Sequence, residues 1–124
     1  MSRKVIMAVD DEPDIRTLVC FCLKSSGDFE VLEAKNGEEA IALAIAHQPA
    51  LIVMDVRMPG IGGIEACRRL KADPATASIP VIFVSAWHSE EQAALEAGGT
   101  AFLPKPFSPE ELTATVQKYI TATH

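Results

Sequence analysis

Hydrophobic residues along this chain follow two rhythms that take turns. Val5-Ile6-Met7-Ala8-Val9, Leu51-Ile52-Val53-Met54 and Val81-Ile82-Phe83-Val84 are short, unbroken apolar runs. Each is too short for a helix and rich in β-branched members, the pattern of a strand covered on both faces of a parallel sheet. Between the runs, apolar positions recur at three- and four-residue intervals, the spacing of a helix with one buried face.

Taken in order, Lys4 to Val9 reads as a first strand closing in Asp10-Asp11-Glu12. Pro13 suits a first helical turn, and the acidic residues around it favour the positive helix end. Ile15, Leu18, Val19 and Cys22 form the expected core-facing stripe, and Ser25-Ser26-Gly27-Asp28 stops this helix. Phe29 to Leu32 is a second strand. Asn36-Gly37 turns the chain into a helix over Glu38 to His47, with Ile41, Ala44 and Ile45 facing inward and Gln48-Pro49 ending it. The third strand, Leu51 to Met54, runs into Asp55, and Pro59-Gly60 marks a turn. Ile64 to Lys71 is a helix that buries Ile64, Cys67 and Leu70, closed by Asp73-Pro74. Val81 to Val84 is a fourth strand ending in Ser85, and Ser89 to Ala97 a short helix halted by Gly98-Gly99. Thr100 to Leu103 is a fifth strand, followed by Pro104-Lys105-Pro106. Ser108-Pro109-Glu110-Glu111 starts the last helix with a Ser cap, Pro at the first position and Glu three residues after the Ser. Leu112, Val116 and Ile120 carry that helix inward.

Such alternation predicts an α/β fold, a parallel sheet with helices on both faces. Right-handed crossovers leave few topologies. The flavodoxin-like (βα)5 three-layer sandwich, a five-stranded parallel sheet in order 2-1-3-4-5, suits the element count and has its switch point between strands 1 and 3. That order sets Asp10 and Asp11 beside Asp55.

Composition narrows the reading. A length of 124 residues with 48% hydrophobic residues predicts one domain over 1–124 with a sizeable core. The net charge of −6 argues against a nucleic-acid surface and suits a site that collects a cation. The N-terminal apolar run is too short for a signal peptide and ends in acidic residues. No stretch reaches the roughly 18 apolar residues of a membrane span, so a cytoplasmic protein without membrane insertion is expected. Cys20, Cys22 and Cys67 lack a Cys-x-x-Cys spacing and read as thiols rather than a zinc site or disulfide framework. His47, His88 and His124 are scattered, and Arg68-Arg69-Lys71 reads as a solvated helix face.

Three carboxylates meeting at one crevice repel one another, and a hard divalent cation relieves that repulsion. Mg²⁺ favours one or two carboxylates, water and a phosphate oxygen, with a backbone carbonyl such as that of Arg57 available to complete the shell. Ser85 and Lys105 follow strands 4 and 5 and point to the same crevice. A hydroxyl, an ammonium and a metal together cradle a phosphoryl group. Asp55 is then the nucleophile, forming an acyl phosphate. There is no Gly-rich phosphate loop to indicate a nucleotide donor.

Val9-Asp10-Asp11-Glu12-Pro13, Met54-Asp55-Val56-Arg57-Met58-Pro59-Gly60, Val84-Ser85-Ala86 and Lys105-Pro106-Phe107 stand at four strand ends. On these motifs the chain resembles the receiver domains of two-component response regulators over essentially its whole length. The resemblance implies that Asp55 takes a phosphoryl group from a phosphohistidine of a sensor histidine kinase or histidine phosphotransfer protein. It implies Asp11 and Asp55 as direct Mg²⁺ ligands, Asp10 through water and Arg57 through its carbonyl, with Ser85 and Lys105 on the phosphoryl oxygens. It implies a cis bond before Pro106, and a switch in which Ser85 moves to the phosphoryl group and Phe102 turns inward. A downstream protein target, left unidentified, receives the signal, and the face of helix 4, strand 5 and helix 5 usually carries output or homodimerisation.

The chain departs from the family pattern in places. The segment from Ser85 to Gly98 is shorter than in typical receivers, which predicts a stunted helix 4 and puts the usual partner mode in question. Trp87 is bulky where many members carry smaller groups, and Arg57 offers a side chain at the opposite rim. No further module follows the last helix, so a stand-alone receiver is expected, with excision from a longer chain the close variant. From another class comes a Mg²⁺-dependent phosphatase with an aspartyl nucleophile, but its usual second Asp is replaced by Arg57. A flavin module of the same fold lacks its Ser/Thr/Gly-rich phosphate loop here. If Trp87 and Arg57 control water at the acyl phosphate, replacing either with Ala changes the dephosphorylation rate more than the unfolding midpoint. Phosphoryl lifetimes equal to that of the wild type in both variants count against this.

Overall fold

A computed structural model describes residues 4–26 and 29–120. Gly27 and Asp28 of the expected helix stop, the residues before Lys4 and His124 lie outside the described residues. The elements are β1 (Lys4–Val9), α1 (Pro13–Ser26), β2 (Phe29–Ala34), α2 (Gly37–His47), β3 (Leu51–Asp55), α3 (Gly62–Ala72), β4 (Val81–Ser85), a 3-10 turn (His88–Glu90), α4 (Glu91–Glu96), β5 (Ala101–Pro104) and α5 (Pro109–Ile120). All strand pairs are parallel and the sheet order is β2-β1-β3-β4-β5, the flavodoxin-like arrangement expected from the sequence.

Alternation along the central strands divides the core in two. Met7, Ile52, Met54, Val81 and Phe83 pack with Ala40 and Ala44 of α2, Cys67 and Leu70 of α3 and Ala94 of α4. Ile6, Ala8, Leu51, Val53, Ile82 and Val84 pack with Val19 and Leu23 of α1 and Leu112, Val116 and Ile120 of α5. Because side chains alternate with period two, Asp10, Asp55 and Lys105 continue the series on the α1/α5 side, whereas Ser85 continues the other. Parallel pairing then sets all four at one edge of the sheet, where the strands end.

Local capping agrees with the sequence. Ser108 Oγ accepts from Glu111 N at 3.0 Å and Glu111 Oε1 from Ser108 N at 2.9 Å, a reciprocal capping box. Asn36 caps α2 through Glu39 N at 2.8 Å.

Several expectations are corrected. Leu18 is 51% and Ile45 47% exposed rather than inward. The buried arc of α1 is Val19, Cys20, Cys22 and Leu23; Leu18 falls beyond it, with Phe21, on the outer surface. In α2 the small residues Gly37, Ala40 and Ala44 bring the helix close, and Ile45 lies past their arc. β2 runs on to Ala34, because its backbone stays paired with β1 through Val9. The expected helix from Ser89 to Ala97 divides into the 3-10 turn and the six-residue α4. Lys71 is not on a solvated face: its ammonium donates to the carbonyl of Ala77 at 3.1 Å and to that of Ile79, while Arg68 and Arg69 pair with Glu65. Among the described residues no helix is long and apolar enough to cross a membrane.

Gly63 matters most for the site. A Cβ there would run into the carbonyl oxygen of Asp55, and Gly63 N bonds to Val56 O at 2.9 Å. The first turn of α3 therefore presses on the backbone that carries Asp55. Gly63→Ala is expected to destabilise the fold by about 1–3 kcal/mol through overpacking. A lower urea midpoint at unchanged slope is the expected reading, and an unaltered midpoint refutes it.

Candidate functional site

Two strand ends supply the acidic side chains, β1 those of Asp10 and Asp11 and β3 that of Asp55. Asp10 N bonds to Ala34 O at 3.1 Å, which keeps the chain in register just past β1. Its Oδ1 accepts from Glu12 N at 2.9 Å, and its carbonyl accepts from Arg16 Nη1 at 2.8 Å. Asp55 is the last residue of β3 and is 6% exposed. Asp11 is partly exposed. One carboxylate oxygen from each of Asp10, Asp11 and Asp55 lies within 4.8 Å of the others.

One ammonium answers this charge. Lys105 Nζ lies 3.6 Å from Asp10 Oδ2 and 3.5 Å from Asp55 Oδ1, beside both and tightly bonded to neither. Lys105 N donates to Ser85 O at 2.8 Å, which anchors the loop that brings the amine over. Asp10 Oδ2 is buried and accepts no hydrogen bond among the described residues. Burial above all, then the Asp10 and Asp11 charges, pushes the Asp55 carboxyl up from 3.8 to about 6, against the pull of Lys105.

These features fit a hard divalent cation. All three donors are carboxylate oxygens, and one buried oxygen lacks a donor. The mutual separations of these three oxygens, at most 4.8 Å, let one small ion be reached from all three, directly or through water.

Ser85 is brought to the same edge but is engaged elsewhere. Its Oγ accepts from Trp87 N at 3.0 Å and lies 3.4 Å from Glu90 Oε1, to which it donates. Arg57 and Trp87 do not face each other across the crevice. The loops after β3 and β4 converge, and the Arg57 guanidinium lies over the Trp87 ring at 4.4 Å from its centroid. Arg57 Nε also pairs with Glu90 Oε1 at 3.0 Å. Phe102 is half-buried, in register with Phe83 and packed against the α2/α3/α4 core. The Lys105–Pro106 bond is cis.

Sequence reasoning missed Glu90 and Arg16. Arg16 grips the Asp10 carbonyl and Glu33 Oε1 together, at 2.8 and 3.0 Å. Glu90 resembles any acidic residue near a helix start, and no periodic or motif signal marks it.

Comparison with known proteins agrees with this geometry. The family model described as the response regulator receiver domain matches residues 6–117. The chain is 40% identical over 125 residues to the phosphate regulon transcriptional regulatory protein PhoB of Pseudomonas aeruginosa, covering 99% of this chain and 54% of that relative. It thus spans about half the length of that protein. The chemotaxis response regulator CheY4 of Vibrio cholerae superposes with a TM-score of 0.88 at 32% identity, covering 95% of this chain and 99% of the other. The receiver domain of a sensor histidine kinase from Pseudomonas aeruginosa, solved with a magnesium ion coordinated in its active-site cleft, gives 0.89 at 29% identity, covering 97% and 99%.

The raised Asp55 carboxyl has a consequence for stability. The folded chain holds this proton more tightly than the unfolded chain, so the penalty is absent below pH 3.8, grows as pH rises and is complete above about 6. Its upper limit is about 3 kcal/mol. Asp55→Asn is therefore expected to raise the thermal midpoint of the metal-free protein at pH 7.5, with a several-fold smaller gain near pH 4. Equal gains at both pH values refute the assignment.

Proposed function

Because the chain belongs to the response regulator receiver domain family, we propose that Asp55 accepts a phosphoryl group from a phosphohistidine of a sensor histidine kinase or histidine phosphotransfer protein. One observation carries this reading: the buried carboxylate of Asp55 shares a single ammonium with Asp10 and is made more basic by its surroundings.

An Asp55 oxygen attacks phosphorus as the bond from phosphorus to the imidazole nitrogen breaks. The nitrogen keeps the bonding electrons, a proton already on the other ring nitrogen leaves the imidazole neutral, and the transferred PO₃ group carries one negative charge to Asp55. The Lys105 ammonium, already 3.5 Å from Asp55 Oδ1, needs only a small movement to reach a phosphoryl oxygen. Ser85 supplies a hydroxyl donor to another oxygen once it turns from its present partners. Asp11 and Asp55 directly, Asp10 through water and the Arg57 carbonyl would hold Mg²⁺, which supplies the positive charge that offsets the incoming phosphoryl oxygens.

The acyl phosphate then biases two conformations, with Ser85 and Phe102 as the moving residues, because its contacts differ between them. We read 1–124 as one receiver domain acting in the cytoplasm through a downstream protein, with no nucleic-acid contact of its own and homodimerisation as one route of output. Its chemistry is confined to gaining and losing its own phosphoryl group. The phosphatase alternative is disfavoured by Arg57, which stands where the second carboxylic acid would be needed and turns to Glu90 and Trp87.

Incubation with a small phosphodonor and Mg²⁺ is expected to give an acid-stable, base-labile adduct. The adduct should be absent from Asp55→Asn and after chelation of the metal, with no turnover of unrelated phosphoesters. Sustained phosphoester turnover overturns the signalling reading in favour of a phosphatase.

A further inference from the structure

Glu90 sits in the 3-10 turn between β4 and α4, and one of its oxygens holds two groups from different loops. Glu90 Oε1 accepts from Arg57 Nε at 3.0 Å and from Ser85 Oγ at 3.4 Å. A serine hydroxyl has one proton to donate. Ser85 Oγ also accepts from Trp87 N at 3.0 Å, and with its one proton given to Glu90 none is left for a phosphoryl oxygen. The two engagements of Ser85 exclude each other.

The same oxygen is poised to let go. A phosphoryl group brings nearly two negative charges close to the carboxylate that Ser85 now faces. It repels Glu90 and attracts the Ser85 proton and the Arg57 guanidinium, each of which Glu90 now holds. Arg57 is also stacked on Trp87, so its release disturbs that ring as well. Glu91, the next residue, begins α4, so displacement of Glu90 is passed directly to that helix.

We propose that Glu90 is a resting-state latch, a positioning residue that holds Ser85 in its unswitched orientation and is released by phosphoryl charge. This rests on the receiver reading of the site. The latch costs the phosphorylated form affinity, because a bond must break before Ser85 can serve it.

Trp87 is the single tryptophan and reports from within the cluster. Titration with beryllofluoride and Mg²⁺, an acyl-phosphate mimic, followed by Trp87 fluorescence tests the latch in the whole chain. Glu90→Gln, which keeps the length and removes the charge, is expected to bind the mimic roughly three- to tenfold more tightly than the wild type, the difference between a hydrogen bond to a charged acceptor and one to a neutral acceptor. Glu90→Ala should tighten binding at least as much. In a Ser85→Ala background the gain from Glu90→Gln should fall to less than half, because the partner is gone. Equal affinities of wild type and both variants overturn the latch. A gain undiminished without Ser85 also overturns it, because Glu90 then acts by charge alone. A wild type that binds no mimic and takes no phosphoryl group overturns the receiver reading, and the latch with it.

Discussion

Two buried carboxylates share one ammonium. Lys105 Nζ stands 3.6 and 3.5 Å from Asp10 and Asp55, with Asp11 adding a third negative charge nearby. The pocket therefore carries excess negative charge in a region where burial strengthens every electrostatic interaction. Burial first, and then the neighbouring charges, raise the Asp55 carboxyl, and one buried Asp10 oxygen is left without a donor. The excess charge suits the pocket to a cation, and the raised carboxyl makes Asp55 a more basic oxygen than an exposed aspartate presents.

The fold supplies this arrangement by simple geometry. Parallel strands end together, and the order β2-β1-β3-β4-β5 puts β1 and β3 side by side at the switch point. Strand alternation aims Asp10, Asp55 and Lys105 to the α1/α5 side. Backbone bonds from Asp10 N to Ala34 O and from Lys105 N to Ser85 O hold the ends in register. Gly63 lets α3 close against the backbone of Asp55, so that residue is braced from behind.

The rim of the pocket is built by the loops that follow β3 and β4. The segment after β4 is short, and a 3-10 turn stands before the six-residue α4. That turn brings Glu90 to Ser85 and Arg57, and Arg57 to Trp87. A short connection thus links Arg57, in the loop after β3, to Ser85, at the end of β4. In the proposed latch these four residues act together.

Much of this was legible in the residues alone. Continuous apolar runs reveal strands buried on both faces, because a two-sided strand has no polar side to show. The reciprocal cap at Ser108 and Glu111 is local, so it was readable where it stands. The carboxylates, hydroxyl and amine were recognisable because each follows a strand directly, and parallel order alone takes them to one edge. Which face each helix buries was less legible. Leu18 and Ile45 satisfy helical periodicity, yet in α1 the buried arc is Val19, Cys20, Cys22 and Leu23, and in α2 the small residues Gly37, Ala40 and Ala44 set the packing, which leaves these two exposed. Where Ser85 directs its hydroxyl, and that Arg57 meets Trp87 rather than opposing it, depend on two loops distant in sequence. A side-chain contact between loops has no period and no motif, so only the tertiary fold could decide it.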